Sequence, residues 1–145
     1  MREMNGDLFE LAKGKTIVIA TNGMVDSKLL AVMGRGCAKQ AADLWPTFPK
    51  LLGERLKLGG NVVNAFQFPG YKAVLSFPTK NDWRDPSNLS LIMQSAAKLV
   101  RLVDAHKLPE VYMPRVGCGH GKLDWALVKA VLEPVLDDRF VVVDY

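Results

Sequence analysis

The chain has 145 residues, 49% hydrophobic and 23% charged, which is typical of one compact soluble domain covering residues 1–145. No apolar stretch is long enough to cross a bilayer, and Met1–Asn5 lacks the apolar core of a secretion signal, so we expect a cytoplasmic protein without a membrane partner. The net charge of +4 is modest and its Lys and Arg residues are scattered, which suits a phosphate-bearing ligand but does not by itself argue for nucleic acid.

The N-terminal half of the chain is expected to alternate strands with helices. Thr16–Ala20 is a continuous apolar run rich in β-branched residues, the pattern of a strand buried on both faces. That strand ends at Thr21-Asn22-Gly23, and the polar stretch to Lys28 indicates a loop. The other predicted elements of this half are a strand at Arg2–Met4 and helices at Asp7–Lys13, Gly36–Leu44 and Phe48–Leu58, the last two closed by Pro46 and by Gly59-Gly60.

The C-terminal half begins with a predicted strand pair, Val62–Phe68 and Ala73–Phe77, which a tight turn at Pro69-Gly70 makes antiparallel. A polar segment, Thr79–Pro86, then leads into the longest helical pattern, Ser87–His106. The apolar face of that helix is formed by Leu89, Ile92, Met93, Ala96, Leu99, Val100 and Val103. The remaining predicted elements are strands at Val111–Pro114 and Phe140–Val143 and a helix from about Leu123 to Leu136 that contains Pro134.

Strands that alternate with helices predict an α/β fold in which helices cover a central sheet. We therefore expect a three-layer α/β/α sandwich. Because one pair of neighbouring strands is joined by a tight turn, the sheet should be mixed, with about six strands.

Two glycine-rich loops each lie between a predicted strand and a predicted helix, where α/β proteins bind ligands. In the first, Val32–Ala38, Gly34 and Gly36 carry no side chain, so backbone N–H groups can converge on an anion at the start of the next helix. The second, Gly117–Lys122, has three glycines at alternate positions. One such loop is weak evidence, because glycines also mark ordinary turns, but two in one small domain favour a diphosphate ligand.

Several polar or aromatic side chains lie near the strand ends. The Asn22 amide can bind vicinal hydroxyls such as those of ribose, although an Asn here can also simply cap the strand end. Lys80, behind Phe77 and beside Trp83, would be partly desolvated and thereby become a usable nucleophile or proton donor; the alternative is a solvated surface charge. Trp83 and Arg84 could contact a base, or the Trp could anchor its loop.

Other chemistries are disfavoured. The only two cysteines, Cys37 and Cys118, are expected to be reduced thiols. Together with His106 and His120 they lack any zinc-ligand spacing, so we expect no metal, and we expect no Cys–His nucleophilic pair. Gly34-x-Gly36 lacks the third glycine of a dinucleotide fingerprint, which argues against a nicotinamide dehydrogenase.

Four segments together resemble the macrodomain family, and the resemblance runs over nearly the whole chain. They are Gly6-Asp7-Leu8, Thr21-Asn22-Gly23, Met33–Ala38 and Pro114–Gly119. The resemblance implies that Asp7 receives the adenine amino group and that Asn22 faces the terminal ribose. It also implies that the third segment lies between ribose and diphosphate and that the fourth is a phosphate loop.

Two longer runs, Phe77–Arg84 and Gly117–Trp125, resemble the branch of this family that contains the DNA ADP-ribosyl glycohydrolase antitoxin (DarG) and the terminal ADP-ribose protein glycohydrolase. In this resemblance Lys80 takes the place of the antitoxin's catalytic lysine. Gly121 stands where the protein glycohydrolase has a catalytic aspartate, so a Lys-plus-Asp mechanism does not carry over. The stretch Met24–Val32 is also longer than the antitoxin's ribose loop.

The resemblance implies an enzyme that binds ADP-ribose and hydrolyses an ADP-ribose linkage at the terminal ribose C1″, on a nucleobase in single-stranded DNA first and in a protein ester second. A non-catalytic ADP-ribose-binding module, a nucleotide-signal sponge and an ADP-ribose 1″-phosphate phosphatase stay open as alternatives. The protein is expected to be a monomer that uses no cofactor. The residues expected at the ligand are Asp7, Leu8, Asn22, Gly34, Arg35, Gly36, Cys37, Thr79, Trp83, Gly117, Cys118, Gly119, His120, Gly121 and Lys122, with Lys80 as the catalytic residue.

Overall fold

The structure, a computed structural model, describes residues 1–145 and contains six strands and five α-helices. In chain order these are β1 (Arg2–Asn5), α1 (Leu8–Leu11), β2 (Thr16–Asn22), α2 (Cys37–Leu44), α3 (Phe48–Gly59), β3 (Asn64–Phe66), β4 (Ala73–Lys80), α4 (Leu89–Ala105), β5 (Val111–Pro114), α5 (Trp125–Leu132) and β6 (Phe140–Asp144). A short 3₁₀ turn, Gly119–Gly121, precedes α5. None of these helices combines the length and the apolar character that crossing a bilayer demands.

The six strands form one mixed sheet in the order β1-β6-β5-β2-β4-β3. Only β3 and β4 pair antiparallel, as the turn at Pro69-Gly70 predicts; all other neighbours are parallel. The interior position of β2 explains its continuous apolar run, because its two faces are both covered. Ile17, Val18 and Ile19 of this strand are 0% exposed.

Helices cover both faces of the sheet, which confirms the three-layer sandwich. On one face α4 and α5 bury Leu99 and Val128 against β2, β4, β5 and β6. On the other face α1, α2 and α3 bury Leu8, Ala41 and Phe48. Because each layer seals one side of the sheet, the strand ends are the part of it that stays open to a ligand.

Several predicted boundaries and one predicted face are wrong. Strand β4 runs on to Lys80 instead of ending at Phe77, and α1 is shorter than predicted at both ends. Helix α5 ends at Leu132 rather than near Leu136, because Pro134 has no N–H to donate and disfavours a helical residue before it. Strand β3 is limited to Asn64–Phe66, since its pairing with β4 spans only three residues. Met93 is 51% exposed, because it lies about 100° around α4 from the buried Ile92 and so falls outside the apolar stripe.

Candidate functional site

A cavity of ≈ 700 Å³ opens at the carboxyl ends of four neighbouring strands, β6, β5, β2 and β4. The residues at these ends that line it are Asp144, Pro114, Asn22 and Lys80, and both glycine-rich loops complete its walls. In α/β proteins the crevice outside the carboxyl ends of the strands is the usual place for a ligand. The fold therefore gathers the two glycine loops and Lys80 around one space.

Asn22 and Lys80 are brought opposite each other by an irregularity in the pairing of β2 with β4. The two strands stay in register up to Thr21 and Pro78, after which Asn22 pairs with Lys80. Thr79 is the extra residue, and its hydroxyl donates to the Thr21 carbonyl oxygen over 3.4 Å. Because a bulge re-aims the side chains beside it, the two polar residues meet at the edge of the cavity.

The Asn22 amide fixes the loop that follows β2. Its Nδ2 donates to the Val32 carbonyl oxygen over 2.7 Å, and its Oδ1 accepts from the Met24 N–H over 2.9 Å. These bonds give Asn22 the structural role that its position at a strand end suggests. Since an amide has two N–H donors and two acceptor lone pairs, one of each is left for a ligand.

Lys80 begins a loop, residues 80–87, that we call the Lys80 loop. Its base is closed by the Asn88 N–H, which donates to the Thr79 carbonyl oxygen over 2.8 Å. The Lys80 Nζ donates to the Trp83 carbonyl oxygen over 3.4 Å, a long and therefore weak hydrogen bond. The half-buried Lys80 ammonium is thus held loosely and can exchange this contact for one with a ligand.

A two-residue ion pair shapes the tip of the Lys80 loop. The Arg84 guanidinium donates two hydrogen bonds to the Asp82 carboxylate, from Nη2 to Oδ2 at 2.6 Å and from Nε to Oδ1 at 3.0 Å. These bonds from Arg84 lower the pKa of Asp82 to about 2. Arg84 is therefore largely neutralised by Asp82, whereas Asp85, which also lines the cavity, has no salt bridge.

The first glycine loop brings the start of α2 to the cavity. Gly34 and Gly36 have φ of 65° and 64°, a left-handed conformation that favours glycine. Gly36 is the N-cap and offers no side-chain acceptor, so the first N–H groups of α2 depend on another partner. An anion at this helix end would supply that partner and would interact favourably with the helix dipole.

The second glycine loop is held by its own backbone and by the Lys80 loop. Gly117 and Gly119 have φ of 79° and 66°, and the Leu123 N–H closes the loop on the Gly117 carbonyl oxygen over 3.0 Å. The Ser87 N–H donates to the Gly121 carbonyl oxygen over 2.9 Å. This last bond joins the second glycine loop to the segment that carries Lys80.

The family of the chain follows from its similarity to known proteins. The model of the Macro domain matches residues 18–132. The chain belongs to the macrodomain family.

This macrodomain is 34% identical over 102 residues to the DNA ADP-ribosyl glycohydrolase of Mycobacterium tuberculosis, an alignment that covers 66% of this chain and 29% of that protein. It is 30% identical over 139 residues to the Thermus aquaticus protein of the same name, with coverage of 90% and 38%. The solved macrodomain of Mycobacterium tuberculosis DarG superposes with a TM-score of 0.81 at 26% identity, over 99% of this chain and 97% of that one. The chain thus spans well under half the length of these two curated relatives, and the resemblance to the DarG branch is confirmed.

All but two of the residues expected at the ligand line the cavity of this macrodomain. The exceptions are Asp7 and Leu8. Leu8 is 0% exposed, and the Asp7 Oδ1 caps α1 by accepting from the N–H groups of Phe9 and Glu10. The contact of Asp7 with adenine therefore stays a prediction. The Asp7 Oδ2 forms no hydrogen bond and would be the oxygen that accepts from the adenine amino group.

Some cavity residues of the macrodomain were missed by sequence reasoning. They are mainly Asp85, Ser87, Arg115, Trp125 and Tyr145. Trp125 donates its Nε1 hydrogen to Glu3 over 2.9 Å, and Arg115 lies 5.2 Å from its ring centre. Trp125 ends the Gly117–Trp125 run, so its motif carries a local signal, but no local pattern signals the approach of Glu3 from β1.

The two cysteines of the macrodomain both line the cavity and both are free thiols. Burial raises the pKa of Cys37 and of Cys118, which favours the neutral thiol over the nucleophilic thiolate. No three His, Cys, Asp or Glu side chains come together as a metal site would require. Neither cysteine is therefore favoured as a nucleophile at the cavity.

Proposed function

We propose that this macrodomain binds ADP-ribose and hydrolyses an ADP-ribose linkage at C1″ of the terminal ribose. The observation that carries the proposal is the pairing of Asn22 with Lys80 at the mouth of a cavity walled by two glycine loops. We assign the diphosphate to these loops, the ribose hydroxyls to Asn22 and the reacting carbon to Lys80. The names of the two DNA ADP-ribosyl glycohydrolases that the chain resembles support the same reaction.

The charge around the cavity supports an anionic ligand. Five Lys or Arg residues line it but only two acidic residues, Asp85 and Asp144. Of the five, Arg35, Lys80 and Lys122 form no salt bridge, so their charges are available to phosphate groups. We infer that the diphosphate lies between the two glycine loops and directs C1″ towards Lys80.

Two routes at C1″ are compatible with Lys80. In one, the uncharged Nζ attacks C1″, the bond to the modified group breaks, that group leaves with a proton, and water then replaces Nζ to release ADP-ribose. In the other, the ammonium donates its proton to the departing group while water adds to C1″. Both routes consume only water, so the proposed reaction needs no cofactor.

We propose an ADP-ribosylated nucleobase in single-stranded DNA as the first substrate and an ADP-ribosyl ester on protein as the second. The free cations Arg35 and Lys122 at the cavity favour a substrate that carries further phosphates. We propose that the protein acts as a monomer in the cytoplasm. The monomer would be contradicted if sedimentation reported a dimer and if activity were lost when that dimer dissociated.

The test is the release of ADP-ribose from a thymidine-modified oligonucleotide and from a glutamate-modified peptide by wild type, Lys80→Ala and Lys57→Ala. Lys57 is an exposed lysine of α3, outside the cavity, and serves as the matched control. We expect release by wild type and by Lys57→Ala, and a loss of at least about 100-fold in Lys80→Ala, as is typical when a group that transfers a proton is removed. Equal rates in wild type and Lys80→Ala would refute the role of Lys80.

Borohydride separates the two routes. If Nζ attacks C1″ and the sugar ring opens, the resulting imine is reduced to a stable adduct, and mass spectrometry should find ADP-ribose attached to Lys80. If the ammonium only donates a proton, turnover occurs without an adduct. Either result defines the chemistry that Lys80 performs.

A non-catalytic binding module is the second candidate. Gly121 favours this candidate, because the protein glycohydrolase has a catalytic aspartate at this position and this chain has no side chain there. Binding of ADP-ribose by wild type with no release from either substrate would support the binding module over the glycohydrolase. Release of inorganic phosphate from ADP-ribose 1″-phosphate would instead support the phosphatase.

A further inference from the structure

Ser87 is a buried polar residue of the cavity wall that the proposed function has not used. It ends the Lys80 loop, lines the cavity and is only 7% exposed. Its Oγ is one of four buried side-chain polar atoms in the chain that have no hydrogen-bond partner; the others belong to Thr16, Thr21 and Asn61. A buried hydroxyl without a partner destabilises a protein, so its presence beside a ligand cavity calls for an explanation.

The Ser87 side chain fits between the two ends of the second glycine loop. A Cβ atom added to Gly117 would lie 3.3 Å from the Ser87 Cβ, and one added to Gly121 would overlap the Ser87 Oγ. The Ser87 backbone N–H meanwhile holds the Gly121 carbonyl oxygen at 2.9 Å. The two glycines therefore provide the space in which the hydroxyl sits, at the junction of the Lys80 loop and the second glycine loop.

We propose that the Ser87 hydroxyl is a further ligand-binding group, which donates a hydrogen bond to an oxygen of the distal ribose. This inference rests on the proposed function, because the ligand is the ADP-ribose of that proposal. Rotation about the Ser87 Cα–Cβ bond moves the Oγ between staggered positions, so the hydroxyl can leave Gly121 for a ligand in the cavity that Ser87 lines. The distal ribose is the recipient because Lys80, assigned to C1″ of that sugar, lies on the same loop as Ser87.

The proposal predicts opposite effects on stability and on binding. In Ser87→Ala, the melting temperature should stay the same or rise, because the unpaired hydroxyl is gone. Calorimetry should show an affinity for ADP-ribose that is weaker by about threefold to tenfold, the usual worth of one neutral hydrogen bond, and an unchanged affinity for ADP, which lacks the distal ribose.

Thr16 provides the matched control. Its hydroxyl is also buried and unpaired, but Thr16 lies at the start of β2, away from the cavity at the other end of the strand. Thr16→Val keeps the shape and removes the hydroxyl, so its melting temperature should also stay the same or rise. Its affinities for ADP-ribose and ADP should both equal those of wild type.

Three results would overturn the inference. These are an unchanged affinity of Ser87→Ala for ADP-ribose, an equal loss of affinity for ADP-ribose and ADP, and a loss of affinity that is accompanied by a lower melting temperature. If wild type binds ADP-ribose but releases none from either substrate, the glycohydrolase proposal fails, while a selective loss in Ser87→Ala still supports this inference. If wild type fails to bind ADP-ribose, both fail.

Discussion

Gly121 and Ser87 share one small space in the cavity wall, and this contact limits what position 121 can hold. A Cβ at Gly121 would overlap the Ser87 Oγ and lie 3.1 Å from the Ser87 Cβ, so a side chain there requires the Ser87 hydroxyl to turn away and still leaves a tight contact. The carboxylate that the protein glycohydrolase has at this position would need a different neighbour. In this chain the carboxylates at the cavity come instead from Asp85 and Asp144.

Gly121→Ala should lower the free energy of unfolding by roughly 1–3 kcal/mol, the usual result of adding a methyl group to a filled site. Ser87→Gly in the same chain removes the obstructing Oγ and should restore part of the loss. Gly59→Ala is the control, because a Cβ at Gly59 meets nothing within 4 Å. Urea unfolding is measured for wild type, Gly121→Ala, Ser87→Gly, the double variant and Gly59→Ala, and additive effects of Gly121→Ala and Ser87→Gly would contradict the contact.

Gly119→Glu tests the second glycine loop as a phosphate site. A Cβ at Gly119 meets nothing within 4 Å, so the new carboxylate would project into open space and repel a diphosphate. We expect at least about a fivefold weaker affinity for ADP-ribose by calorimetry, since one like-charge contact is worth about 1 kcal/mol or more. Gly119→Ala carries the same backbone strain at φ 66° without the charge, and an equal loss in both variants would contradict the electrostatic reason.

At the scale of elements, the Lys80 loop has two separate restraints, one at its base and one at its tip. The base depends on backbone hydrogen bonds to Thr79 and Gly121, and the tip depends on the Asp82–Arg84 ion pair. The base is independent of side-chain chemistry, whereas the tip responds to pH. The position of Lys80 at the base should therefore survive a change at the tip.

The tip can be tested by following the Asp82 carboxyl carbon by NMR as the pH falls. The pKa of Asp82 is lowered from 3.8 to about 2 by the hydrogen bonds from Arg84, so the ionised form is the one favoured by the folded loop. Its stabilising effect is present above pH 3.8 and is lost as the pH falls through about 2. We expect the titration midpoint near 2 in wild type and nearer 3.8 in Arg84→Ala; equal midpoints would contradict the ion pair.

The elements themselves could largely be predicted from local patterns. The strand Val111–Pro114 was predicted with its observed bounds, because a short apolar run between Pro109 and a glycine loop leaves little choice. The end of α5 was predicted too late in the chain, because the apolar periodicity continues past Pro134. The helix ends before that residue, since proline has no N–H to donate. The extra residue Thr79 could not be foreseen, because a bulge depends on the register between two strands that are far apart in sequence.

At the scale of the whole molecule, the same limit applies to the candidate site. The glycine loops and Lys80 carry local signals, and the sequence located them on the cavity. Arg115, Trp125 and Tyr145 reach the cavity from the C-terminal third, and Glu3 supports Trp125 from the opposite end of the chain. Contacts of this kind follow from the strand order, in which β1 lies beside β6. No local motif predicts the strand order.

The cations of the cavity that form no salt bridge predict a salt dependence that distinguishes a DNA-linked substrate from free ADP-ribose. In a Lys80→Ala background, binding of an ADP-ribosylated single strand should weaken with salt more steeply than binding of ADP-ribose, because additional phosphates are neutralised. Adding Arg35→Ala or Lys122→Ala should reduce the log–log slope by about 0.7 each if that residue contacts a phosphate. Fluorescence anisotropy measures the slopes, and equal slopes for both ligands would argue against the DNA strand.

The extra residue in β4 has a consequence for any chain that shares these motifs. The irregularity takes up Thr79, so the two strands resume their pairing at Asn22 and Lys80 one residue later on β4 than on β2. A chain that lacked Thr79 would pair its lysine with the asparagine without a bulge and would keep the apolar core and the glycine loops. Counting residues from Pro78 would therefore assign the wrong position to the lysine in such a chain, whereas matching the strand pairs would find it.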